Sequence, residues 1–198
     1  MQYLRPAVVL LVLFTVLTGL AYPLALTGIA SLVFPWQASG EALVRNGTVV
    51  GSALIGQNFT SPRYFQPRPS ATNTPDPNDA TKTVDAPYNA ANSTGSNLGP
   101  TSKALVDRVA AAVEAKRQAG WTGALPADAL TTSASGLDPD ISPENALRQL
   151  AAVARERGLG EDKLRNLVTA HTENPWFGII GERHVNVLLL NLALDDRK

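Results

Sequence analysis

Only two histidines occur in this chain, His171 and His184, and neither belongs to an HExxH or similarly spaced pair able to ligate a metal. Without a spaced partner, each reads as a surface or hydrogen-bonded structural residue rather than a general base. Ser133-Ala134-Ser135-Gly136 offers hydroxyls, but its flanks are not strand–turn–helix and there is no GxSxG elbow, so the tetrapeptide reads as a tight, hydrogen-bonded turn. Asp138-Pro139-Asp140-Ile141-Ser142-Pro143-Glu144 has the carboxylate spacing that opens a calcium loop. Pro143 stands where such a loop needs glycine, and the distal bidentate Glu is missing. The same residues serve as N-terminal helix signals. A GxxxxGK[ST] phosphate-cradling loop is likewise absent. The expectation is a chain with no catalytic residues and no metal ligands of its own.

Composition places those residues. The chain has 198 residues, with 17 basic and 17 acidic side chains and a net charge of zero, so it lacks the basic excess that sequence-independent nucleic-acid binding requires. It has no Cys, which removes disulfides, lipid-anchoring cysteines and thiolate metal sites. Charged residues make up 17%, and the shortage is local: from Pro6 to Gly40 there is no ionisable Asp, Glu, Lys, Arg or His. Within that gap, Ala7–Val33 carries fifteen Leu, Val, Ile and Phe residues. A bilayer core of about 30 Å needs roughly 20 apolar residues as a helix, so the run spans, and it exceeds the core of a cleaved signal peptide. Tyr3 and Trp36 flank it as interfacial aromatics. Arg5 lies before the span and Glu41 is the first charge after it, a pattern that favours a cytoplasmic N-terminus and an exterior remainder. Inside the span, Thr15, Thr18, Gly19, Ala21 and Ala25 are small, so a second membrane helix can approach closely, and Pro23 removes a helical hydrogen bond.

The sequence therefore divides into a tail and transmembrane helix, 1–36, and an extramembrane α+β domain, 37–198. Asn46-Gly47 between apolar flanks predicts a β-hairpin with φ > 0 at Gly47. Residues 66–102 contain six prolines among many Asn, Ser, Thr and Gly, a loop or disorder composition, with Tyr64, Phe65 and Tyr88 as possible anchors to a core. One helix follows Ser102, with Leu105, Val109 and Val113 as its apolar stripe and Gly120 beyond its end. A second opens at Ser142-Pro143-Glu144, turns Leu147, Leu150 and Ala154 inward, and stops near Gly158. A third covers about 161–170, with Leu164, Leu167 and Val168 inward. His184–Leu194 is apolar enough for a central strand that could finish as a helical turn.

Longer blocks add a resemblance. GSALIGQNF (Gly51–Phe59), YFQPRPSAT (Tyr64–Thr72), YNAANSTGSNLGPTS (Tyr88–Ser102), TTSASGLDPDISPENALRQLAAVA (Thr131–Ala154) and HVNVLLLNLALD (His184–Asp195) resemble, in order, the C subunits of Kdp potassium-transporting P-type ATPases. So does the single span running into FPWQASG (Phe34–Gly40). The resemblance implies an accessory subunit of a cell-membrane complex for potassium import, ordered through its proline-rich region. It also implies three partners besides membrane lipid: a P-type subunit that hydrolyses ATP, a channel-like subunit that binds K⁺ and a small membrane subunit. The DKTGT phosphorylation motif is absent, in keeping with that division of labour. The family role is a catalytic chaperone raising ATP affinity in the P-type subunit. Gln149 is then the candidate nucleotide contact, and ATP is a cofactor only at the level of the complex. Many relatives carry His where this chain has Asp140, which argues against an essential proton-transfer role there. Set beside what the resemblance implies, two other readings stay open. Gln149 suits a buried or capping amide bonded to a neighbouring loop. An exterior domain cannot reach ATP, and would instead cap or shape the K⁺ entrance, with Asp76, Asp79 and Asp85 either concentrating cations or simply solvated.

Overall fold

In a computed structural model that describes residues 2–197, the chain divides after Ser52 into two compact units. The first begins with a helical run, Leu4–Val33, made of α1 (Leu4–Val16), a π-helical turn (Leu17–Ala21) and α2 (Tyr22–Val33). Pro23 explains the π turn. It cannot donate to the carbonyl four residues earlier, and its ring would press on that carbonyl, so the chain widens by one residue just ahead of it. The Thr18 and Thr27 hydroxyls donate to Phe14 O at 2.6 Å and Pro23 O at 2.9 Å, which keeps both polar groups satisfied on an apolar helix. At 1.5 Å per residue the 30-residue run is about 45 Å long, enough to cross a bilayer core, and none of its most apolar window is buried by the rest of the chain.

A short turn of helix, α3 (Pro35–Ala38), leads into β1 (Ala42–Arg45) and β2 (Thr48–Ser52), which pair antiparallel. Asn46 and Gly47 connect them at φ 52° and 77°, the left-handed pair of a type I′ turn, as the sequence predicts.

The second unit is α+β. A three-stranded antiparallel sheet has the order β5 (Asp140–Ile141), β7 (His184–Asn186), β6 (Thr172–Glu173). Two of these strands run directly into helices. Ser142 caps α5 (Pro143–Arg157), its Oγ accepting from Asn145 N at 3.0 Å, and Asn186 caps α7 (Val187–Asp195), its Oδ1 accepting from Leu189 N at 3.1 Å. Between them lies α6 (Glu161–Ala170). Their inward faces form one core with Phe65, Ile141, Leu150, Leu164, Leu190 and Leu194 at its centre, each no more than 2% exposed. A separate hairpin, β3 (Asn73–Asp76) with β4 (Asp79–Asp85), and α4 (Lys103–Gln118) complete the unit.

Three expectations change. His184–Leu194 is mainly helix: Asn186 caps it, and Val187, Leu188, Leu190, Asn191 and Leu194 are buried at helical spacing. A continuous apolar run fits strand and helix alike, and the cap decides. In α5, Leu147 is 38% exposed, and the inward stripe is Ala146, Leu150, Val153 and Ala154. The proline-rich stretch is ordered, as the resemblance implies and against its loop or disorder composition, and it contains a hairpin. Its turn is held by Asp76 Oδ1, which accepts from Asn78 N at 2.8 Å, with Pro77 at the corner.

Candidate functional site

Gln149 projects from the inner face of α5 and is 8% exposed. Its Oε1 accepts from Gln66 N at 2.7 Å, and its Nε2 donates to Gln66 O at 3.1 Å and to Asn145 Oδ1 at 3.1 Å. The amide therefore acts as a one-residue strand partner for the Gln66 backbone. Asn191, on α7, does the same for the preceding residue: Oδ1 accepts from Phe65 N and Nδ2 donates to Phe65 O, both at 2.9 Å. These two carboxamides satisfy two consecutive peptide units, at buried Phe65 and half-buried Gln66, that no β-ladder reaches.

The network continues outward. Asn145 Nδ2 donates to Asp128 Oδ2 at 2.9 Å, and Asp128 also accepts from Ser142 N at 2.7 Å and Ser142 Oγ at 2.9 Å. Tyr64 is pinned in parallel. Its hydroxyl lies 3.1 Å from Asp195 Oδ2, and the Arg157 guanidinium stacks 4.6 Å over its ring while bonding Asp195 Oδ1 at 2.7 Å. Sequence reasoning found Gln149 as an amide with a loop partner. It missed Asn191, although a lone Asn inside HVNVLLLNLAL is a polar group that must find partners once buried.

Two clefts open on the surface of this unit. One, of about 570 Å³, is lined by Arg68, Asp128, Asp138, Asp140, Glu144 and His184, among others. Arg68 Nη1 pairs with Asp138 Oδ2 at 2.7 Å. Burial pushes the Asp140 carboxyl above its ordinary range, with Asp138 and Glu173 adding to the shift, while His184 and an Asn186 hydrogen bond oppose it. His184 Nδ1 lies 2.9 Å from Glu182 O and its Nε2 is 3.7 Å from Glu173, so the imidazole is oriented by its own strand connection. Burial, helped by Arg197, lowers the pKa of His171, the other histidine. Ser133 and Ser135 accept from Gly136 N at 2.8 Å and Leu137 N at 3.1 Å, the turn the sequence predicts. Among the described residues neither hydroxyl is hydrogen-bonded to a histidine, and no three His, Asp or Glu side chains converge as a metal-binding group.

The other cleft, of about 520 Å³, has apolar lining from Phe59, Pro67, Pro87 and Tyr88, and is also lined by Gln66 and Lys116. Burial lowers the Lys116 pKa, and the ammonium lies 4.8 Å from the centre of the Trp121 ring. The Tyr88 hydroxyl donates to Arg68 O at 2.8 Å, and burial raises its pKa. Gln149 touches this cleft only through the Gln66 backbone it holds. Of the three loop carboxylates, Asp79 is held below its ordinary pKa, mainly by the Thr81 hydroxyl and then by Lys82, while Asp76 accepts from its own turn.

Residues 4–196 match the family described as K⁺-transporting ATPase, c chain, or KdpC. The potassium-transporting ATPase KdpC subunit of Rhodopseudomonas palustris (strain BisB18) is 58% identical over 198 residues, covering all of both chains. That of Methylobacterium nodulans is 59% identical over 196 residues, 99% of this chain and 98% of the relative. That of Bradyrhizobium diazoefficiens is 56% identical over 195 residues, 98% and 97% of the two. With a family match over almost its whole length and relatives of this identity, the chain belongs to the KdpC family, the c chains of K⁺-transporting ATPases.

Proposed function

We propose that this chain is a non-catalytic accessory subunit of an ATP-driven potassium importer, anchored by one membrane-spanning helix. Its larger unit lies on the exterior side, where it secures the assembly and caps or shapes the K⁺ entrance of the channel-like subunit. The observation that carries this reading is the commitment of Gln149. Both ends of its amide are bonded, the oxygen to Gln66 and the nitrogen to Gln66 and Asn145, so contact with a nucleotide would require orphaning the half-buried Gln66 peptide unit. Arg5, ahead of a span followed first by Glu41, supports the orientation.

The side of the membrane tests it. The chain has no Cys, so Ser93→Cys, at an exposed loop position, gives a single reporter. In intact cells making the whole complex, a membrane-impermeant maleimide labels this variant if the larger unit is outside. Labelling only after lysis would place that unit in the cytoplasm and defeat the capping role.

A second reading, that the chain itself takes nucleotide as a catalytic chaperone for the P-type subunit, has one observation in its favour. The cleft of Pro67, Pro87 and Tyr88 combines apolar walls with the Lys116 cation. Calorimetric titration of the detergent-solubilised chain with ATP decides it: heat that disappears in Lys116→Ala supports nucleotide binding, and no heat removes it.

A further inference from the structure

Between β6 and β7 the chain projects Asn174-Pro175-Trp176-Phe177-Gly178-Ile179-Ile180-Gly181, without a charged side chain. Trp176, Phe177, Ile179 and Ile180 are 75, 89, 82 and 65% exposed. The other exposed large apolar residues described in this unit are the adjacent pair Leu54 and Ile55 and the single residues Val84, Leu98, Val106 and Leu147, all between 36 and 59%. Here four are consecutive but for one glycine, and contiguous exposure of that kind marks an interaction surface.

The tip is also built. Trp176 N donates to Ile180 O at 2.9 Å, Ile180 N donates back to Trp176 O at 3.0 Å, and Gly178 N donates to Pro175 O at 3.0 Å. Phe177 is held at φ 53°, a region an aromatic residue rarely occupies. A strained, hydrogen-bonded backbone that holds a Trp and a Phe in water is a preorganised anchor, and such aromatic anchors dominate the binding energy of protein interfaces.

The flanks decide the occupant. Glu173 and Glu182 sit at the base of the tip beside one full cation, Arg183, and His184, whose Nε2 is 3.7 Å from Glu173. The acidic base lacks the Lys and Arg through which membrane-inserting elements are drawn to anionic lipid, and it complements a basic rim. We propose that residues 174–181 are the docking anchor of this subunit, inserting Trp176, Phe177, Ile179 and Ile180 into an apolar, basic-rimmed pocket on a sibling subunit of the complex. This rests on the accessory-subunit reading above.

The test uses the co-expressed complex, purified through a tag on this chain. Phe177→Asn with Ile179→Ser suits the left-handed backbone and leaves the core untouched. It should reduce sibling subunits recovered by tenfold or more, with an unchanged melting temperature for the detergent-solubilised chain. A second variant, Trp36→Phe with Trp121→Phe, leaves Trp176 as the sole indole. Its fluorescence should be open to acrylamide in the free chain and several-fold less quenchable in the complex. Normal recovery of siblings by the tip variant, or equal quenching in both states, would overturn the proposal. Shielding in lipid nanodiscs without siblings would assign the tip to the bilayer, and shielding that grows with chain concentration would assign it to a second copy. Either result overturns the proposal. If the wild-type chain recovers no sibling subunits, the accessory-subunit reading fails, independently of the tip.

Discussion

Two segments of the larger unit reverse what their compositions suggest. Tyr64–Thr72 is proline-rich and polar, yet Phe65 is 0% and Thr72 1% exposed. Residues 174–181 are apolar, yet Phe177 is 89% exposed. What separates them is the fate of the backbone. In the first segment Pro67 and Pro69 bring no N–H to satisfy, and the peptide units of Phe65 and Gln66 are met by Asn191 and Gln149. In the second the backbone closes on itself across Trp176 and Ile180, so nothing obliges the side chains to turn inward. Burial follows the partners available to the main chain as much as side-chain hydrophobicity.

Removing those partners should therefore have the largest effect. Asn191→Leu keeps the volume but leaves Phe65 N–H and C=O unpaired in the core. At about 1–3 kcal/mol per orphaned group, the loss should be about 2–5 kcal/mol in denaturant unfolding of the solubilised chain. Gln149→Leu orphans the Gln66 pair in a less buried place, so its cost should be smaller, at about 1–3 kcal/mol. An unchanged unfolding midpoint for both variants would show that the two carboxamides do not hold the segment.

Gly136→Ala probes the same segment from outside. Gly136 has φ +67°, and a Cβ there would stand 2.5 Å from Thr72 Cγ2 and 2.6 Å from Thr94 O. The Thr94 carbonyl is backbone and cannot swing away, so the substitution should cost about 1–3 kcal/mol and loosen the hydrogen bond from Ser70 Oγ to Gly136 O, now 2.7 Å. Faster amide exchange at Thr72 and Tyr88, whose N–H groups both donate to Ser70 Oγ, is the local signature to look for.

The parts of this arrangement that could be read from the chain are those written locally. Ser142-Pro143-Glu144 announces α5, Asn46-Gly47 announces the first hairpin, and Leu164, Leu167 and Val168 face inward as their spacing requires. The second hairpin was hidden because Pro75 and Pro77 count against a strand. Its corner depends on Asp76 accepting from Asn78, a side-chain bond that composition does not register. Leu147 illustrates the limit of periodicity. It lies one position from Ala146 and three from Leu150, and only the placement of α6 and α7 decides which stripe is covered. Gln149 could be read as a buried amide, but its partner is 83 residues away, and Phe65 and Asn191 are 126 apart. No local rule connects those pairs. In the sequence the exposed tip is two apolar pairs, Trp176-Phe177 and Ile179-Ile180, each followed by a glycine, and a core strand would show the same letters.

Asp140 offers a smaller effect whose sign depends on pH. Its folded-state pKa is raised, chiefly by burial and then by Asp138 and Glu173, so the ionised form disfavours the native state at neutral pH. As pH falls, the folded chain takes up this proton before the unfolded chain does, and the penalty disappears below the ordinary Asp value. Asp140→Asn should raise the melting temperature at pH 7 and lose that advantage near pH 3. An advantage that persists near pH 3 would mean that packing, rather than charge, is responsible.

The smallest effect belongs to the apolar tip, and its smallness is the point. Phe177 is 89% exposed, so truncation surrenders almost no burial, and its φ of 53° is more comfortable for Asn than for an aromatic residue. Phe177→Asn should therefore change the stability of the free chain by no more than about 0.5 kcal/mol, with stabilisation the more natural direction as strain is relieved. The Asn191 and Phe177 variants then form a pair. One replaces a polar residue in an apolar helix and should lose several kcal/mol, while the other replaces an aromatic residue with a polar one and should lose nothing. A loss of 2 kcal/mol or more in Phe177→Asn would mean that the tip packs against its own unit in solution, and the contrast between the two segments would collapse.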